Sequence, residues 1–209
     1  MNNLNQLGWL KYAVTHISDG FEDMRYRKSG SLKIAWTIIF LLFFSRIVQE
    51  RLYGFQFRSS YDKTFSIIPY IASSFVIFFA WVIGNNAVST FLDGEGSFKN
   101  IFIYSSYALV PYIAQSLINT LLSHFLIKDE LVFMQALRIT GIIWSAVLLF
   151  SAIKAVHRYT FMRTVASILL TIMAMFIMLF LLILFMALIQ QMYLFISSLY
   201  TEISYRVRS

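Results

Sequence analysis

From its first third onward the chain alternates between long apolar runs and short polar stretches. Five apolar segments stand out, at about 32–48, 65–88, 98–126, 131–156 and 165–189. A helix of about 20 apolar residues crosses the ~30 Å hydrocarbon layer of a bilayer, so the pattern predicts an all-α, polytopic transmembrane helical bundle of five spans. The first segment is the shortest, with Lys33 and Arg46 near its ends, where long stems can snorkel to the interface. The second has Pro69 in its opening turn, where a missing N–H costs least, and closes on Asn85-Asn86. The third carries Pro111 in mid-segment, and the ring predicts a kink there. The fifth is apolar except for Ser167 and Thr171 and is the strongest span of all.

The polar intervals divide the chain further. Residues 1–32 place Leu7, Trp9, Leu10, Tyr12, Val14 and Ile17 among polar neighbours, followed by a charged stretch from Asp19 to Lys28. That composition predicts a short interfacial N-terminal segment on the cytoplasmic side, with a loose tail as the alternative. Residues 33–199 then form the five-span membrane domain and 200–209 a short tail, after Gln190, Gln191, Tyr193 and Phe195 have marked an aromatic belt. The connections are short, so consecutive spans are expected to pack as antiparallel neighbours. Nine Lys and Arg residues fall on one side of such a bundle and seven on the other, with Arg138 inside it. The side holding the basic cluster before the first span is the expected cytoplasmic one, with the N-terminus in and the C-terminus out.

Composition narrows the function classes. Of 209 residues, 59% are hydrophobic and 13% charged, against about 25% charged in an ordinary soluble domain, and five spans leave no length for a separate soluble enzyme domain. The net charge of +7 is scattered at segment ends rather than gathered into a stripe, which suits anionic lipid headgroups and speaks against nucleic acid. With no cysteine, disulfides, thiolate metal sites and a Cys nucleophile are excluded. A signal peptide is not expected, because residues 1–32 lack a continuous apolar core.

Candidate chemistry is sparse. The loop Asp93-Gly94-Glu95-Gly96-Ser97 has two glycines that permit φ > 0, a serine placed to cap the third span, and two carboxylates. It is a candidate cytoplasmic interaction loop; a plain tight hairpin is the alternative, and too few oxygen ligands are present for a calcium loop. Arg138 lies eight residues beyond Glu130, roughly 12 Å into a helix. A charge at that depth should face protein or water, so Arg138 heads a candidate intramembrane polar site with Gln115, Asn119, Asn85 and Asn86. Structural glue between helices is the competing role, since no acidic residue shares that depth. His16, His124 and His157 lack metal-ligand spacing, and no H-E-x-x-H or G-x-S-x-G pattern occurs. His157-Arg158 is expected at headgroups beside the fourth helix's C-terminal dipole. No cofactor, metal or catalytic residue is expected.

The order of several motifs resembles a known family. His16-Ile17-Ser18-Asp19-Gly20-Phe21 and Arg27-Lys28-Ser29-Gly30-Ser31 are followed by Asp93-Gly94-Glu95-Gly96-Ser97-Phe98 and by Tyr107-Ala108-Leu109-Val110-Pro111. Trp144 and His157-Arg158-Tyr159 complete a pattern that resembles the Yip1 family, in its bacterial branch, over most of residues 15–190. The resemblance implies five spans, a cytosolic N-terminus and a bacterial cytoplasmic membrane. Eukaryotic members are associated with Rab GTPases, but the long cytosolic region they carry is missing here, so no such partner is expected. Two readings follow: a non-enzymatic scaffold or accessory protein engaging another membrane protein or a second copy of itself, and a small transporter or channel with a polar pathway around Arg138.

Overall fold

The computed structural model describes residues 5–57 and 66–208. It is helical, and five of its helical segments are long and apolar enough to cross a membrane. The chain opens with α1 (Gln6–Thr15), whose first N–H is taken by the Asn5 side chain at 2.7 Å, and α2 (Gly20–Tyr26). The two fold back on each other: a Cβ on Gly20 would stand 2.7 Å from the Ala13 Cα. Tyr12 donates to Asp23 at 2.9 Å, and the Arg27 guanidinium lies over the Trp9 ring at 5.5 Å. Trp9, Ala13, Phe21 and Met24 are buried, and α1 and α2 pack on the third and fourth spans. This segment therefore docks under the bundle through its apolar face.

The first span, α3 (Leu32–Arg51), buries Ala35, Ile38, Ile39, Leu42 and Ser45, the i, i+3, i+4 stripe of a helix with one face in a core. The second span begins with α4 (Ile68–Ile71), with Pro69 in its first turn as the sequence predicts. The expected start at Phe65 lies outside the described residues. A single π-helical turn at Ala72–Val76 leads into α5 (Ile77–Phe91), so the helix runs past Asn85-Asn86 for another turn.

The third span is the most enclosed of the five. Every residue of α6 (Phe98–Ala108) from Ile101 onward is buried. Near Pro111 the regular helix bonding is interrupted for one residue, Leu109, which keeps right-handed dihedrals (φ −82°, ψ −9°): α6 ends there and α7 (Val110–Leu122) begins with Pro111 in its first turn. At this position the ring removes a donor that has no intrahelical partner anyway. The neighbouring Tyr112 N–H is satisfied sideways, donating to Ser145 Oγ at 2.9 Å.

The fourth span, α8 (Leu131–His157), lies along both α6 and α7. It approaches α7 so closely at Gly141 that a Cβ there would meet the Gln115 Cβ at 2.6 Å. The first span flanks α6 and α7, while α5 bridges α6 to α9 (Phe161–Arg208). This last helix is 48 residues long and continues past the apolar segment's end near Ile189 to Arg208.

Candidate functional site

Three helices end at the pole of the bundle that carries α1 and α2, and each ends the same way. In α2, Ser29 N–H returns to the Met24 carbonyl at 2.9 Å; in α5, Gly94 N–H returns to Ser89 at 2.8 Å; in α8, Tyr159 N–H returns to Lys154 at 3.2 Å. These six-to-one bonds close Schellman turns, which need a left-handed residue just before the donor, usually glycine. Here the positions are held by Lys28 (φ 49°), Asp93 (φ 52°) and Arg158 (φ 56°). Three charged residues thus occupy backbone positions that favour glycine.

The loop from Asp93 to Ser97 lies across the end of α8. Its glycines are needed for proximity and not, as the sequence suggested, for positive φ, which Asp93 supplies. A Cβ on Gly94 would fall 2.5 Å from His157 Nδ1 and also strike the Tyr159 hydroxyl; one on Gly96 would fall 2.7 Å from His157 Cε1. Ser97 Oγ accepts the Asn100 N–H at 3.4 Å and caps α6.

Beneath the loop, His157 is 2% exposed and stacks on Tyr159 with ring centroids 5.0 Å apart. It is a core residue, displaced from the headgroup position its sequence context suggested because the loop folds over it. Gly96 N–H donates to His157 Nδ1 at 3.3 Å, so the ring proton sits on Nε2 and is donated to Asn85 Oδ1 at 2.9 Å. Asn85 Nδ2 donates to Thr171 Oγ1 at 3.1 Å, and the Thr171 hydroxyl donates to the Ser167 carbonyl at 2.7 Å. One relay therefore joins the loop, α8, α5 and α9, with each donor matched to one acceptor.

Arg25 fastens the same assembly from above. Its Nη1 donates to the carbonyls of Ala155 and Val156, both at 2.6 Å, satisfying the last turn of α8, and its Nη2 pairs with Glu95 at 2.8 Å. Glu95 also meets Arg158 at 3.3 Å, and Lys154 meets Glu22 at 3.2 Å. A cleft of about 450 Å³ opens beside Arg25, lined by Lys28, Lys99 and Arg158 with Tyr26 and the buried Tyr104. Among the described residues neither Lys28 nor Lys99 has an ion-pair partner. Outside the spans, burial raises the Tyr159 pKa, with Arg163 opposing and Asp93 assisting.

The intramembrane residues singled out from sequence do not form one site. Asn85 belongs to the relay, and the Asn86 carbonyl accepts from Ser89 and Thr90. Gln115 is buried against Gly141, and Asn119 donates to the Met134 carbonyl at 3.2 Å, so both serve the α7–α8 contact. The Arg138 side chain is exposed on α8, near the Tyr53 phenol, and no hydrogen bond joins it to Gln115 or Asn119. Sequence reasoning missed Arg25 and His157 as the residues that hold the pole together. The signals available were an arginine in the last turn of a short helix and a histidine in the last turn of a long one.

Fold and site together define a five-span α-helical membrane protein whose N-terminal helices, second inter-span loop and fourth-span terminus are locked into one polar face. The family model of the Yip1 domain matches residues 11–189, and the chain belongs to the Yip1 family. No curated protein and no solved structure matches it.

Proposed function

We propose that the protein is a non-enzymatic scaffold or accessory component of a bacterial cytoplasmic membrane, with its N-terminus in the cytosol and its C-terminus outside. Its α1–α2 pole is the surface that engages another membrane protein. The observation that carries this reading is the convergence of Lys28, Lys99, Arg25 and Arg158 around a cleft whose walls are fixed by Glu95 and the His157 relay. A rigid, basic recess of this kind suits an acidic segment of a partner better than a reacting substrate. It offers no nucleophile–base pair within the polar face, and catalysis requires one or an equivalent set.

The test is a crosslinked, mild-detergent pull-down of tagged protein from its native membrane, followed by mass spectrometry. A reproducible partner that is lost in a Lys28→Glu/Lys99→Glu double variant of unchanged helicity is the expected result. A lone monomer from every extraction, with envelope composition and uptake unaltered by deletion, overturns the reading.

A further inference from the structure

A second cavity, of about 340 Å³, lies within the spans, where α3, the π turn, the α6–α7 break and α8 meet. Its walls are apolar, formed by Leu42, Ile77, Phe78, Leu109, Ile142 and Leu149. Ile77 and Ile142 are exposed at the bundle surface, so the mouth opens sideways, toward acyl chains. Three features that seldom coincide border it: a π turn, a helix interrupted at Leu109, and a cation. Irregular turns of this kind inside helices recur at functional sites.

The cation is Arg46, five residues inside the end of α3, or roughly 7 Å by the helical rise. Its guanidinium lies over the Tyr112 ring at 5.2 Å, while its Nε is buried without a hydrogen-bond partner. Among the described residues no carboxylate pairs with it, and arginine does not escape by losing its proton. The second unmatched group is Ser74, fully buried in the π turn with no partner for its hydroxyl. Other serines of these helices, Ser45, Ser73 and Ser106, bond back to the carbonyl three residues earlier. Ser105 and Ser145, which also line the cavity, are matched to Trp81 and Tyr112. Among the described residues the buried unmatched polar atoms of the cavity are thus the Nε of a permanent cation, Arg46, and the Ser74 hydroxyl.

We propose that this cavity binds an anionic amphiphile, with its headgroup on Arg46 and Ser74 and its acyl chain along the apolar wall toward Ile77 and Ile142. Arg46 is half-buried, with its Nε shut off from any partner; a ligand anion neutralises its charge in that setting through a charge-assisted hydrogen bond while Ser74 gains an acceptor. Water would satisfy the hydroxyl but leave the charge uncompensated. The volume corresponds to roughly ten waters, enough for a headgroup and the first few methylenes, with the remaining chain leaving through the mouth. The shared chemistry is a negative oxygen headgroup on an acyl chain, supplied by a free fatty acid or by an anionic phospholipid.

The experiment uses the full chain in neutral detergent with two photoactivatable probes, palmitic acid and phosphatidylglycerol, each bearing a diazirine on the acyl chain, and maps the labelled peptides. Labelling around Leu42, Ile77 and Ile142 is expected, competed by palmitate but not by hexadecanol. The probe that labels identifies the source. Arg46→Gln should reduce labelling at least about tenfold and Arg46→Lys should retain most of it. Thermal unfolding of Arg46→Gln should show a folded protein, because the change removes an unpaired charge. Equal labelling of Arg46→Gln and wild type, equal competition by hexadecanol, or labelling confined to the lipid-facing surface of α9 overturns the proposal.

Discussion

Gly96 has no room for a methyl group, because His157 and Val156 already occupy the volume a Cβ would take. Gly96→Ala should therefore cost about 1–3 kcal/mol by overpacking, seen as a drop of roughly 2–4 °C per kcal/mol in thermal unfolding. An unchanged midpoint would mean that the loop does not rest on the α8 terminus. Asn85→Leu keeps the volume but leaves the His157 ring N–H and the Thr171 hydroxyl oxygen unmatched, and about 1–3 kcal/mol should be lost. Tyr159 gives a pH signature. Burial raises its pKa, so the folded state keeps the phenol proton to higher pH than the unfolded chain. Its contribution to stability is full below the unfolded value of about 10 and falls as pH rises above it. Midpoints measured from pH 8 to 11 should decline less steeply in Tyr159→Phe than in wild type. At this scale the sequence is only half legible. It shows which residues lack a Cβ, as at Gly94 and Gly96, but not what stands over them. It shows how far Arg46 and Arg138 lie from a segment end, but not which of them turns inward.

The spans themselves were legible, because a run of some 20 apolar residues has few physical outcomes. The bounds of α3, of the α6–α7 span and of α8 lie within about four residues of the positions that hydropathy predicts. One irregularity is not legible, the π turn at Ala72–Val76, which no residue type announces; the one-residue interruption at Leu109 lies two residues before Pro111, where the ring predicts a kink. Because Pro111 sits in the opening turn of α7 and not in a helix interior, Pro111→Ala should change stability by less than about 1 kcal/mol. A gain near the ~3 kcal/mol of an interior proline would show that the break is imposed by the ring alone. The Schellman turns make a complementary prediction. Lys28 holds a left-handed position without an ion pair among the described residues, so Lys28→Gly should stabilise the protein by about 0.5–1 kcal/mol, the strain relieved less the added freedom of the unfolded chain. A stability gain accompanied by loss of partner capture would separate the folding role of that residue from its surface role.

Across the whole molecule, α9 stands apart: every described side chain from Phe180 to Ile203 is exposed on this protein. A chain truncated after Ile189 should unfold at the same temperature as the full chain, within about 2 °C, roughly the shift expected for 1 kcal/mol or less. A larger loss would reveal packing by the distal half. The absence of cysteine makes topology easy to test. Single cysteines at Tyr26, which is 77% exposed, and at Ser198 should react with an impermeant maleimide from opposite sides of the membrane, Ser198→Cys from outside. Same-side labelling would contradict five crossings, and labelling of Tyr26→Cys from outside would overturn the proposed orientation. The locked pole also bears on association. Arg25 is already held by Glu95 and the α8 carbonyls, and the buried His157 by Asn85 and Gly96, whereas Lys28 and Lys99 have no ion-pair partner among the described residues. Ordering a mobile side chain on binding costs about 0.5–1.5 kcal/mol, a cost that remains at the two lysines but not at Arg25. Pre-organisation at Arg25 therefore lowers the contact area that a given affinity at this face would require.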